Sequence, residues 1–240
     1  MGRILQTITG KLKSTGHKSD NLPLLRATNI IKTPHSDHKK STFLKIMASN
    51  PQIYYSDVVF EKPNIPDHLF NAGVFENCTF KNFDFSDAKF TDTDFIESEF
   101  ENCNFSLAKL ENVGMKEVTF KQCKLTGIDF GRCKDFLFCT NFESCILDYT
   151  SFIKKKNKKS RLIDCSAKGA DFTESDFSQS LLQNCDFANA VFLNTNLNGV
   201  NLSTSYNFII NPETNLLKKA KFSLEGLPGL LANYGIIIVP

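Results

Sequence analysis

Residues 75–105 read FENCTFKNFDFSDAKFTDTDFIESEFENCNF, with phenylalanine at every fifth place from Phe75 to Phe105. An amphipathic helix repeats its apolar residues about every 3.6 positions and a half-buried strand every 2. An interval of five fits neither. The pattern extends in both directions. Tyr55, Phe60, Ile65 and Phe70 precede the stretch in the same phase, and Leu110, Met115, Phe120, Leu125 and Phe130 continue it. After Phe130 the phase slips by two and resumes at Leu137, Phe142, Leu147 and Phe152. Leu162, Phe172, Phe177, Leu182, Phe187, Phe192, Leu197, Leu202 and Phe222 keep the second phase. Self-similarity over such a length predicts a solenoid.

The position two before each large residue is usually small: Cys78, Ala88, Thr93, Ser98, Cys103 and Ala108 are examples. Each unit therefore offers one large and one small inward side chain, and its other three residues face water. Cys103, Cys123, Cys145, Cys165 and Cys185 reveal a longer period of 20, stretched to 22 across the slip. Twenty residues are four units. If four units close one square turn, these cysteines stack as a column at one inner corner. Successive turns then lie as parallel strands about 4.8 Å apart, in a rod on the order of 40 Å long. Each buried Phe or Leu contributes roughly 1.5–3 kcal/mol before chain entropy is subtracted.

The repeated unit, as in FENCT, FKNFD, FSDAK and GADFTESDF, resembles that of the pentapeptide-repeat family across about residues 53–222. The resemblance implies an all-β solenoid, a right-handed quadrilateral β-helix, with a short C-terminal helical cap. It divides the chain into a basic extension over 1–50, the repeat body over 51–222 and a helix/strand cap over 223–240. The quinolone-protection branch of the family imitates duplex DNA, binds DNA gyrase or topoisomerase IV, and pairs end to end through the cap. The same partners are implied here, with a scaffold rod binding another protein as the alternative.

Charge is unevenly placed. Residues 1–50 hold nine Lys/Arg and two Asp/Glu, net +7, whereas residues 51–240 hold 19 and 24, net −5. The first 46 residues show no sustained period and no apolar run long enough for a secretory core or a membrane span. They read as a basic disordered segment, with Met47 a possible true start. No membrane association is expected.

Of the four histidines, His17, His35 and His38 precede the repeat and His68 falls in its first units, away from the body of the rod. A Ser or Cys nucleophile paired with His is therefore not expected there. No phosphate-binding glycine loop occurs. Carboxylates are numerous but occupy outward positions, as solvation alone requires. Neither enzyme activity nor a cofactor is expected. The cysteines lack the close C-x₂-C pairs of zinc sites and read as small buried hydrophobes, reduced in a cytoplasmic protein. No metal site is expected.

Function concentrates where a strong pattern fails. The slip, GRCKDFLFCTN over 131–141, reads as a two-residue bulge. In SFIKKKNKKSRL, Lys155 falls at a small inward position and Asn157 at a large one. Burying an unpaired lysine is costly. The segment 153–161, with Lys154, Lys155, Lys156, Lys158, Lys159 and Arg161, is expected to swing out as a basic loop or leave a wetted turn. At the C-terminus an open rod end demands a cap. Ser223 can start a short helix and Gly235 can stop one. Leu227, Leu230, Leu231, Tyr234, Ile236 and Ile238 exceed what one small helix hides, which points to a homodimer rather than a monomeric cap.

Acids gather at Asp84, Asp87, Asp92, Asp94, Glu97, Glu99 and Glu101 against Lys89 alone. They step around one turn, and 20 residues on only Glu97 has an acid above it, Glu117. This is a belt for a basic partner, not a stripe along the rod. Duplex DNA would carry roughly 24 charges over about 40 Å. Direct nucleic-acid binding is not expected.

Overall fold

A computed structural model describes residues 53–61, 70–237 and 239. The basic extension, Met47, Ile65, His68 and Ile238 lie outside the described residues. The body is a parallel β-solenoid. One sheet joins seven strands, Val59–Glu61, Thr79–Lys81, Glu99–Glu101, Val118–Lys121, Thr140–Glu143, Arg161–Ile163 and Leu181–Gln183, each parallel to the next. A second sheet stacks Ile53–Ser56, Gly73–Glu76, Asp94–Ile96 and Gly114–Lys116. Lys89–Thr91 pairs with Lys109–Glu111 on a third face. Single bridges from Asp84 through Asn104, Lys124, Ile146, Ser166 and Asp186 to Tyr206 form the fourth.

The five-residue period follows from one conformational step. Asn77, Asn82, Asp87, Asp92, Glu97 and Asn102 all have φ between 48° and 61°, two places after each large residue. This left-handed conformation turns the chain through a corner, and Asn and Asp tolerate it best among residues with a Cβ. Side chains at these corners then tie coil to coil, as when Asn102 Nδ2 donates to Asn82 Oδ1 at 2.6 Å. Each unit is thus small-in, out, large-in, out, corner.

The large positions stack face to face up each wall. Phe80 and Phe100 lie 4.8 Å apart at 14°, and Phe100 and Phe120 5.1 Å apart at 11°. Rings on adjacent walls meet edge-on, as with Phe95 and Phe100 at 5.1 Å and 74°. Both geometries suit the ring quadrupole. The small positions hold the coils together by hydrogen bonds. Ser98 Oγ donates to Phe75 O at 3.1 Å and accepts from Cys78 N at 3.1 Å.

The five expected cysteines do form one column. The N–H groups of Cys103 and Cys123 each donate to the sulfur of the cysteine one coil on, at 3.4 Å. All eight thiols are free and only Cys139 is half-exposed. Burial pushes the thiol of Cys78 up to about 11 and that of Cys133 up to about 12. Because the thiolate is the reactive form, at most one thiol of the folded protein should react with a chromogenic disulfide at pH 8. All eight should react in guanidinium. Rapid reaction of several thiols in the native protein would contradict the column.

Two expectations fail at the slip. Leu137 does not face inward; it is 63% exposed at φ 55°, and Phe138 is buried in its stead. The backbone bonds Lys134 N→Val113 O (2.9 Å) and Cys139 N→Met115 O (2.9 Å) keep the coil attached on either side. Six residues thus run between two bonds that three usually span, and the excess bulges outward. Nor does the lysine-rich segment swing out. Phe152, Lys155, Asn157 and Ser160 are buried in sequence, the same inward rhythm as any other coil.

Candidate protein-binding surfaces

Lys155 and Asn157 stay inside because the slip supplies partners for them. The Lys155 ammonium donates to Cys133 O at 2.5 Å and to Asp135 Oδ1 at 2.6 Å, and lies 5.2 Å from the centre of the Phe138 ring. Asn157 accepts from Thr140 N at 2.9 Å and donates to Thr140 O at 3.1 Å and Thr140 Oγ1 at 3.0 Å. The bulge breaks the regular ladder, and two polar side chains on the next coil replace the missing backbone partners. The two irregular segments are one structure. Lys154, Lys156, Lys158, Lys159 and Arg161 remain on the surface. Lys158 pairs with Asp176 at 3.1 Å and Lys154 lies 3.8 Å from Glu174.

The acidic belt is partly neutralised. Glu101 pairs with Lys81 at 2.6 Å, Glu99 with Lys121 at 2.7 Å and Asp94 with Lys134 at 2.7 Å. Asp84 accepts from Ser86 N and Asn104 Nδ2, each at 3.0 Å, and Asp92 accepts from Asn112 Nδ2 at 2.5 Å. Asp87 and Glu97 sit exposed at corners with no ion pair among the described residues. The belt's outward charge therefore rests on Asp84, Asp87, Asp92 and Glu97. The other three act within the wall.

Their protonation follows the same contacts. Hydrogen bonds from Ser86 hold the Asp84 carboxyl below its usual range. Glu101 is lowered by its hydrogen bond with Glu99 and then by Lys81, while burial, followed by Glu101, raises Glu99. A lowered carboxylate stabilises the fold above its unfolded value near pH 4 and loses that contribution as pH falls through the folded value. Glu99 acts in the opposite sense. Asp176 and Asp186 are also lowered: Ser178 and Lys158, and Asn207 and Lys168 respectively, outweigh burial. The urea midpoint should accordingly be lower at pH 3 than at pH 7. An unchanged or higher midpoint at pH 3 would count against these contacts.

The C-terminal cap closes the last coil. The helix Leu227–Leu231 begins later than Ser223, whose Oγ instead accepts from Gly226 N at 3.1 Å. Gly229 passes so close to Phe208 that a Cβ there would overlap the Phe208 carbonyl oxygen, and Ile210 N donates to Gly229 O at 3.0 Å. Gly235, at φ 66°, ends the following 3-10 turn Ala232–Tyr234. No strand follows among the described residues. Leu230 and Leu231 are half-buried, whereas Leu224, Leu227, Tyr234, Ile236 and Ile237 are exposed, Ile237 at 89%. Among the described residues no helix is long and apolar enough to cross a membrane.

Spacing alone named the belt, the lysines and the cap as candidates. It missed the protruding Phe136, which is 71% exposed beside Leu137. The only available signal was two adjacent large apolar residues in a stretch that had lost its period.

Comparison with known proteins agrees with this architecture. Residues 75–119 match a model of pentapeptide repeats with nine copies, and residues 160–205 match another with eight. The two matched stretches of the solenoid are pentapeptide repeats. The interval between the matches contains the slip and the lysine-rich coil. No curated protein matches the chain. Two trypsin-treated variants of QnrB1, a plasmid-mediated fluoroquinolone resistance protein, are similar in structure at TM-score 0.53. Their identities are 20% and 21%, and each match covers 78% of this chain and 98% of theirs. HetL, a pentapeptide-repeat protein involved in heterocyst differentiation regulation in the cyanobacterium Nostoc, is 12% identical over 72% of this chain and 84% of its own, at TM-score 0.39. At 20% and 21% identity the likeness to the QnrB1 variants is one of fold.

Proposed function

We propose that this chain is a non-catalytic protein-binding rod that pairs through its C-terminal cap and binds a type II topoisomerase, in the manner of a fluoroquinolone resistance protein. The observation that supports this best is the combination of a QnrB1-like solenoid, matched over 98% of that protein, with an exposed apolar cap. Purified protein should raise the quinolone concentration needed to inhibit gyrase supercoiling. Reversing the charges of Asp87 and Glu97 should abolish that protection. No effect of the unaltered protein at several-fold molar excess over gyrase would sink the topoisomerase reading.

A scaffold rod with another protein partner is the second reading. It is favoured by the internal pairing of Asp94, Glu99 and Glu101, which leaves the belt too weakly charged to imitate duplex DNA. Under either reading the cap pairs two copies. Light scattering should give twice the 27.0 kDa chain mass, and Ile236→Asp with Ile237→Asp should return the protein to a monomer. A monomeric mass at micromolar concentration would remove the cap's assigned role.

A further inference from the structure

The bulge at the slip is built rather than loose. Lys155, from the next coil, grips Asp135 Oδ1 and Cys133 O from beneath, and the buried Phe138 plugs the wall beside them. Between these anchors the chain presents Phe136 and Leu137 side by side to solvent, 71% and 63% exposed. No stability argument accounts for two large apolar residues on an anchored turn.

The surroundings of this knob are basic. Lys116, on the preceding coil of the same face, lies 5.3 Å from the centre of the Phe136 ring. Lys134 leads into the bulge, and Lys156 and Lys158 follow on the next coil. Lys134 and Lys158 are paired with Asp94 and Asp176, but Lys116 and Lys156 have no ion-pair partner among the described residues. Residues 131–161 hold eight Lys/Arg and three Asp/Glu, net +5, within a body whose net charge over 51–240 is −5. A cationic band interrupts an otherwise anionic rod, and its centre is apolar.

We propose that this face is a docking site for an acidic protein segment bearing aromatic or aliphatic side chains, with Phe136 and Leu137 making the apolar contact. Lys116 and Lys156 supply the charge. Charge complementarity selects an anionic partner. The apolar pair selects a protein over a nucleic acid, since Leu137 has no π-face on which a base can stack. The site adjoins the acidic belt through the Lys134–Asp94 pair, lies apart from the cap, and does not depend on the topoisomerase reading.

The test uses the full chain and three labelled probes in fluorescence anisotropy at physiological salt: a random glutamate–tyrosine copolymer, polyglutamate, and duplex DNA. The copolymer should bind about tenfold more tightly than polyglutamate. Phe136→Ser with Leu137→Ser should erase that margin. Lys116→Glu with Lys156→Glu should weaken both acidic probes. Phe136, Leu137 and Lys156 are exposed and Lys116 is half-buried with its ammonium over the Phe136 ring, so none of the four fills the core and the variants should keep the parent's circular dichroism and melting temperature. Equal binding of the two acidic probes, tighter binding of duplex DNA than of the copolymer, no binding of the copolymer, or an unchanged margin in the serine variant would each overturn the proposal.

Discussion

Asn157→Leu should destabilise the protein by about 2–4 kcal/mol, although it restores the repeat's preferred large apolar residue. Leucine would gain some apolar burial. It would also strip the buried Thr140 of the partners for its N–H, carbonyl and hydroxyl groups, which Asn157 now contacts at 2.9, 3.1 and 3.0 Å. An unsatisfied buried polar group costs roughly 1–3 kcal/mol, and more than one would be left. Urea unfolding of the variant and the parent measures the difference. A neutral or stabilising outcome would show that the coil can repack without the amide, and the coupling between the slip and the lysine-rich coil would fall.

Phe100→Ala should cost more, about 3–5 kcal/mol. The ring is fully buried, stacked 4.8 Å from Phe80 and 5.1 Å from Phe120, and met edge-on by Phe95 at 5.1 Å. Backbone ladders on four walls prevent the coil from collapsing into the space left behind. Phe100→Leu should cost less than about 1.5 kcal/mol, because Leu162 and Leu182 already fill the equivalent place farther up the same wall. In a solenoid each coil touches only its neighbours. Hydrogen exchange in the alanine variant should therefore accelerate most in the coils carrying Phe80, Phe100 and Phe120. Uniform acceleration along the chain would mean that the rod unfolds as one block instead.

The regular part of this architecture was readable from residue spacing because its cause is local. A large residue every fifth place and a cysteine every twentieth already describe four walls and a register, and the Phe80, Phe100 and Phe120 stack follows. The corner conformation was less visible. Asn77 and Asn82 suggest it, but Glu97, Leu107 and Tyr149 adopt the same positive φ and carry no such signal.

The slip was misread for a different reason. Counting from Phe142 puts Leu137 inside, yet the longer bulge lets Phe138 take the wall. Lys155 then looks like a residue that must be expelled. Its partners, Cys133 O and Asp135, are in place because of the bulge 20 to 22 residues earlier in the chain, and one-dimensional spacing does not contain that event. The acidic belt failed similarly. Its members are adjacent in sequence, but Lys81, Lys121 and Lys134, which quench three of them, arrive from other coils.

The left-handed corner after every large side chain also governs how this molecule can change by insertion or deletion. Adding or losing 20 residues lengthens or shortens the stack and leaves each face pointing as before. Adding five turns everything beyond it by a quarter revolution. The bearing of the cap relative to Asp87 and Glu97 is therefore a discrete variable with four settings. The two extra residues at 135–138 are absorbed as a bulge, so they leave that compass undisturbed.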